Sequence, residues 1–283
     1  MREYFCGWYF KCQSDTQTLA VIPAIHKSGG KASCSIQLIT DDGAWNIPAP
    51  FQDFHKQAKK LHIQIGPNYF GQSGISLSIN TPDCHGEGSV RFGEFSPIRY
   101  DIMGPFRYIP FMECRHSVFS MEHTVTGDIH INGIDYHFDK GIGYIEGDRG
   151  CSFPTEYAWT QCNFDGGSLM LSVADIPFGF FHFTGVIAVV KWHETEYRLA
   201  TYLGAKAVKI ENGEITIRQG DMVLKAKLLE KNTHPLLAPI SGEMKRTIHE
   251  SASCRAYYSF QKGSRTLFSF ETTKSSFEYE YGR

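Results

Sequence analysis

The chain has 283 residues, 42% of them hydrophobic and 20% charged, with a formal net charge of −2. This balance excludes a disordered chain, and a pI near 6.6 excludes a general polyanion binder. The densest basic run, HKQAKK at 55–60, reads as a solvated segment.

The opening MREYFCGWYF is too short and too interrupted for a signal peptide or membrane anchor. The longest apolar run, FGFFHFTGVIAVV (178–190), is broken by His182 and Thr184 and is too short to span a bilayer. A cytoplasmic protein is expected. Its eight cysteines are scattered without a C-x-x-C pair, so reduced thiols and no structural zinc are expected.

Alternation with period two dominates from the N-terminus onward. SCSIQLIT (33–40), LHIQIG (61–66), GISLSIN (74–80), HSVFSMEHTVTGDIHI (116–131), VKIENGEITIR (208–218) and RAYYSFQ (255–261) read as strands. DDG at 41–43, NG at 132–133 and ENGE at 211–214 supply hairpin turns between such runs. Helical signals are few. FQDFHKQAKKL (51–61) fits a short helix or capped turn, and PLLAPISGEMKRTIHESA (235–252) a loop with one helical turn. An all-β fold with about fourteen or more strands is too large for one sandwich, because long sheets curl, close or split. Two consecutive antiparallel barrels fit best, over 1–140 and 141–283, with the glycines of DKGIG at the junction. GWYFKCQ (7–13) and AWTQCNF (158–164) form a faint internal echo of the same order.

Three stretches concentrate reactive side chains. GYIEGDRGCSFPTEYAWTQCNF (143–164) combines Glu146, Asp148 and Arg149 with glycines and aromatics. It is either a substrate site or a glycine-rich acidic turn with a surface Asp148–Arg149 pair. FMECRHSVFSMEH (111–123) carries Glu113, Arg115, His116, Glu122 and His123. On one regular strand, Glu113, Arg115 and His123 would share a face, and His116 and Glu122 the other. Whichever set points inward is a catalytic candidate. DYHFD (135–139) alternates acids and a histidine as polar outer faces do, and no metal is expected there. HGEG (85–88) reads as a turn, and no dinucleotide or phosphate-loop motif is present.

Four segments in order, YFCGWYFK (4–11), PFMECRHSVFSMEH (110–123), GYIEGDRGCSFPTEYAWTQCN (143–163) and LLAPISGEMKRTIHES (236–251), together resemble the tocopherol cyclase family. The resemblance implies a pair of lipocalin-like barrels, related to carotenoid hydratases and some cycloaddition enzymes. It implies an isomerase, an intramolecular lyase without a cofactor. Such an enzyme closes a ring on a hydrophobic prenylated phenol by protonating an alkene. The implied proton donors are Asp148 and Glu146, with Glu113, His116, Glu122 and His123 as further acid–base candidates. Trp8, Tyr144, Tyr157 and Trp159 are the implied substrate-binding aromatics. The chain departs from the family at Cys6, where an acid is usual, and at Arg149-Gly150, where Trp-Gly is usual. A non-catalytic carrier of a hydrophobic molecule, or a hydratase acting on an isoprenoid, remains an alternative. A carrier needs no acid inside its cavity, and a hydratase needs a path for water. A hydrophobic small molecule is the expected partner, with no nucleic acid and no membrane anchor.

Overall fold

The computed structural model describes residues 3–110, 112–178, 181–230 and 233–282. Phe111 of the second segment, and residues 179–180 of the apolar run, lie outside that range. The chain forms two compact units. Unit 1 contains 1–97, 113–153 and 236–247, and unit 2 contains 98–112, 154–235 and 248–283. No helix among the described residues is long and apolar enough to cross a membrane.

Unit 1 is built on β1 (Tyr4–Gln13), β2 (Thr18–Ser28), β3 (Lys31–Thr40), β4 (Ala44–Pro50), β5 (Phe54–Lys56), β6 (His62–Ile65), β7 (Asn68–Gly71), β8 (Gly74–Asn80), β9 (His85–Phe92), β10 (Cys114–Ile131) and β11 (Ile134–Gly150). They form one antiparallel sheet, ordered β4-β3-β2-β1-β11-β10-β9-β8-β7-β6-β5. The two edge strands, β4 and β5, are joined only by the 3-10 turn Phe51–Asp53. Eleven flat strands would span about 48 Å, whereas the four steps from Pro50 to Phe54 reach about 14 Å at most. The sheet therefore has to roll into a barrel, and its concave side buries Trp8, Phe10, Cys12, Leu19, Leu38 and Ile145 in one core.

A second sheet, in unit 2 except for residues 236–247, repeats the plan with β12 (Tyr157–Phe164), β13 (Gly167–Phe178), β14 (Phe181–Trp192), β15 (Thr195–Ala200), β16 (Lys206–Glu211), β17 (Glu214–Gln219), β18 (Met222–Glu230), β19 (His234–Ile240), β20 (Glu243–Lys262) and β21 (Arg265–Tyr279). The order is β15-β14-β13-β12-β21-β20-β18-β17-β16, with β19 paired to β20. Here too the edges, β15 and β16, are consecutive in the chain, and the same argument closes the barrel around a second core. The all-β fold of two antiparallel barrels expected from the alternation, lipocalin-like as the family resemblance implies, is the fold observed.

The hairpin signals form as read. Asn132-Gly133 and Asn212-Gly213 both adopt positive φ at two successive residues, the requirement of a type I′ turn. The expected helical character at 51–61 reduces to the 3-10 turn at Phe51–Asp53, followed by β5. Residues 235–252 are not loop and helical turn but the hairpin of β19 and β20. Ser241 and Gly242, at φ 50 and 74, make its turn. Part of this hairpin belongs to unit 1. Gln37 binds Leu237 through both backbone groups, at 3.1 and 2.9 Å, and Gly242 N donates to Cys151 O at 2.6 Å. The junction expected near residue 140 lies within β11. Lys140, at φ 55, sits where the β10–β11 register shifts, so DKGIG forms a bulge that bends a continuous strand. In sequence, the first changeover on the far side of β11 falls between Phe153 and Pro154.

Candidate functional site

β11 explains the mixture of glycine, acid and aromatic at 143–150. Along it, Gly143, Ile145, Gly147 and Arg149 take one face and Tyr144, Glu146 and Asp148 the other. Register settles which face is which. Ile145 pairs with Phe10 and Gly147 with Trp8, all on the core side of unit 1. The glycines there make room for rings. A Cβ at Gly147 would lie 3.2 Å from Trp8 and 3.3 Å from Phe119, and one at Gly143 would lie 2.2 Å from His123 Nε2.

The acids face away from that core. Gly7 pairs with Asp148 and with Ala24, and Asp148 pairs with His116, so one row crosses β2, β1, β11 and β10 as Ala24–Gly7–Asp148–His116. Tyr9 pairs with Glu146 and Lys11 with Tyr144 on the same side. Although this face is turned from the apolar core, His116, Glu146, Tyr144, Tyr9 and Lys11 are buried.

Within the row a histidine is clamped by two carboxylates. His116 Nδ1 lies 2.9 Å from Asp148 Oδ1 and Nε2 lies 3.0 Å from Glu146 Oε2. The Nδ1 contact is a hydrogen bond. The Nε2 contact is at ion-pair distance, but no acceptor is aligned with the Nε2–H. Tyr144 OH donates to the same Glu146 Oε2 at 2.5 Å, and Cys114 Sγ donates to Asp148 Oδ1 at 3.4 Å. Burial alone would push the His116 imidazolium down. The charges of Glu146 and Asp148 outweigh it and hold the ring well above the ordinary histidine value. Burial, reinforced by Glu146, pushes the Tyr144 phenol well up, and burial with Asp148 does the same to the Cys114 thiol. His116, Glu146 and Asp148 also bring one possible ligand atom each within 4.8 Å of one another. Both ring nitrogens already face carboxylates, which is the arrangement of an imidazolium rather than of a metal-binding imidazole.

The other expected site residues fall elsewhere. Glu113 precedes β10, half-buried, and its carbonyl accepts from Cys151 N at 2.8 Å. Glu122 is exposed. The facing deduced by counting along 115–123 holds, although register shifts interrupt β10 between Val118 and Ser120 and between Ser120 and His123. The two shifts cancel, so Arg115 and His123 both pair with core-side residues, Arg149 and Gly143, while His116 and Glu122 lie on the other side. His123 is buried on the core side against Phe92 and Phe95, and burial holds it down to about 4. Trp8 is also a core residue, stacked on Phe54. Arg149 pairs with Cys6 on the core side, so adjacent Asp148 and Arg149 point to opposite faces and form no surface pair. Tyr157 and Trp159 belong to unit 2, on the face of β12 opposite Ala158 and Cys162 of its core. There Tyr157 OH donates to Glu278 Oε2 at 2.5 Å, and Trp159 pairs with Glu278. The acids and histidines of 128–137 make exposed cross-strand pairs, His130 with Asp135 at 2.7 Å and His137 with Asp128. Sequence reasoning missed Lys11, only 2% exposed. Its signal was a lone charge inside FCGWYFKCQ.

No protein-family model matches the chain, and no curated protein sequence matches it. Solved structures do. A Nitrosomonas europaea protein given the provisional description AttH superposes with a TM-score of 0.55 at 10% identity, covering 99% of this chain and 93% of that one. Kievitone hydratase from Nectria haematococca gives 0.57 at 9% identity over 98% and 89%. CghA with Sch210972 gives 0.61 at 9% identity over 98% and 88%. At such identities the likeness establishes shared architecture over nearly the whole chain, that of two-barrel lipocalin-like proteins.

Proposed function

We propose that this protein is an acid–base enzyme that adds water to, or removes it from, an apolar substrate carrying oxygen. The observation that carries this reading is the buried His116 ring held 3.0 Å from Glu146 and 2.9 Å from Asp148. Buried charge is costly, and a mere carrier of greasy molecules has no use for it. The Nε2–H, with no aligned acceptor, is the proton donor. Asp148 uses Oδ1 for His116 and Cys114, and Oδ2 serves as the base. In the elimination direction a substrate C–H proton passes to Asp148. The C–O bond breaks, a C=C bond forms, and the departing hydroxide leaves as water with the His116 proton. Hydration runs the same steps backwards.

A group held well above its ordinary pKa gives up its proton reluctantly. It suits an oxygen that gains negative charge better than it suits an isolated alkene carbon. This argues for addition and elimination over the carbocation route of a tocopherol cyclase, and Trp8, on the opposite face, is not there to stabilise a cation. Ring closure remains the variant in which the substrate's own hydroxyl replaces water. Asp148, with its side chain 25% exposed, leaves the cluster open to water and favours hydration. The description of one structural neighbour as a hydratase agrees.

The test is incubation with a panel of unsaturated and prenylated phenols in heavy-oxygen water, followed by mass spectrometry. The expected product carries the heavy oxygen, and His116→Gln lowers its rate by about 10²–10⁴-fold. A product of unchanged mass without label would indicate ring closure. Binding without any turnover would leave a carrier and overturn the enzyme reading.

A further inference from the structure

His123 stands on the other side of the sheet from the His116 cluster. Its register partner is Gly143, followed across the sheet by Cys12 and Leu19, so its ring lies on the core side of the unit 1 barrel. The surrounding hydrogen bonds fix its tautomer. Ser120 OH donates to the Glu122 carbonyl at 2.8 Å, so the Ser120 oxygen, 3.1 Å from Nδ1, accepts the Nδ1–H. Nε2 therefore carries a bare lone pair. It is buried, and it has no hydrogen-bond partner among the described residues. Burial keeps the ring neutral by holding it down to about 4.

Native folds leave few buried polar atoms unsatisfied, and each exception calls for a partner or a task. The neighbours of the His123 ring suggest the partner. Phe92 meets the ring edge-on at 4.5 Å and Phe95 lies at 4.9 Å. Both, with Phe119, are only partly buried against the core. A bare acceptor among half-exposed phenyl rings suits an apolar body with one polar donor, and lipocalin-type barrels hold single small ligands in this way. We infer that the His123 region of the unit 1 barrel is a second binding site, for a small apolar ligand whose hydroxyl donates to His123 Nε2. The site is separate from the His116 cluster, since residues 143 and 144 face opposite sides of β11.

Naphthol and methoxynaphthalene are the probes, alike in body and differing in the donor. Calorimetry on the intact protein should show naphthol binding about tenfold tighter, the equivalent of 1.4 kcal/mol. His123→Phe should abolish that preference while leaving methoxynaphthalene affinity unchanged. The His116 ring nitrogen resonances should stay in place when naphthol saturates this site, which separates it from the proposed catalytic one; a shift of His116 without one of His123 would overturn the inference. Should His123→Phe fail to fold, nitrogen NMR of the wild type gives the answer, because the His123 Nε2 resonance must move when naphthol saturates the protein. Equal affinity for the two probes, binding of neither, a preference that survives His123→Phe, or a static Nε2 resonance would each overturn the inference.

Discussion

Three buried histidines in unit 1 have opposite electrostatic fates, and the difference is countercharge. His116 has carboxylates at both nitrogens and is held well above its ordinary value. His26, bonded to Ser35 at 3.0 Å, and His123, bonded to Ser120, have none, and burial holds both down to about 4. Linkage gives each a sign. A raised histidine contributes stability that is fully present below its unfolded value of 6.5 and is lost as pH rises through the raised one. A depressed histidine contributes stability that is present above 6.5 and is lost as pH falls from 6.5 towards 4. Urea midpoints should therefore decline on both sides of a maximum. His116→Gln should lower the curve by about 3–5 kcal/mol at pH values below the raised one, because two buried carboxylates lose their partner. It should also remove the alkaline decline, so that the two curves converge at high pH, while keeping the acid one. An unchanged alkaline decline in that variant would mean that His116 is not the group responsible. None of this was legible from residue types, since His116 and His123 sit in one strand among the same ionisable neighbours. Asp148 and Glu146 were singled out by their glycine-rich setting, and His116 by its place among ionisable neighbours. What the sequence left hidden was that register would set all three on one face.

At the scale of elements, β10 and β11 show how far period-two reading reaches. From 143 to 149 the alternation is strict, and both faces follow from it. Along β10 two register shifts at 118–123 cancel, so His123 stays inward and Glu122 outward as counting from Arg115 gives, although nothing in HSVFSMEH marks the bulges themselves. The start of β10 is held more tightly than its sequence suggests. A Cβ at Gly150 would stand 1.8 Å from Glu113 O and 3.0 Å from Cys114 Cα, both backbone, whereas one at Gly143 would meet only the His123 side chain. A ring can turn aside and a backbone cannot. Gly143→Ala should cost about 1–3 kcal/mol, as ordinary overpacking does, and Gly150→Ala distinctly more. Gly150→Ala should also weaken the amide protection of Cys151, whose N–H donates to Glu113 O. Denaturant midpoints and hydrogen exchange check both; equal costs for the two variants would contradict the close approach at Glu113.

For the molecule as a whole, the duplicated plan was readable because each unit obeys the same local rules: alternating strands, Asn-Gly turns, and edge strands joined by a few residues. The path of the chain between units was not. Residues 98–112 leave the first half to join unit 2, and 236–247 leave the second half to join unit 1. Such exchanges depend on single contacts, such as Gln37 on Leu237, that no periodicity signals. The consequence for function is a sheet with two chemically different sides, apolar on the concave side and charged on the other, and the proposed activity depends on the charged side. Its central claim is that His116 is an imidazolium clamped between Glu146 and Asp148. NMR of the His116 ring nitrogens across a pH titration tests this most directly. The account predicts protons on both nitrogens at neutral pH, retained well past the ordinary histidine value of 6.5. A ring that is neutral at pH 7, or that titrates at or below 6.5, would contradict it.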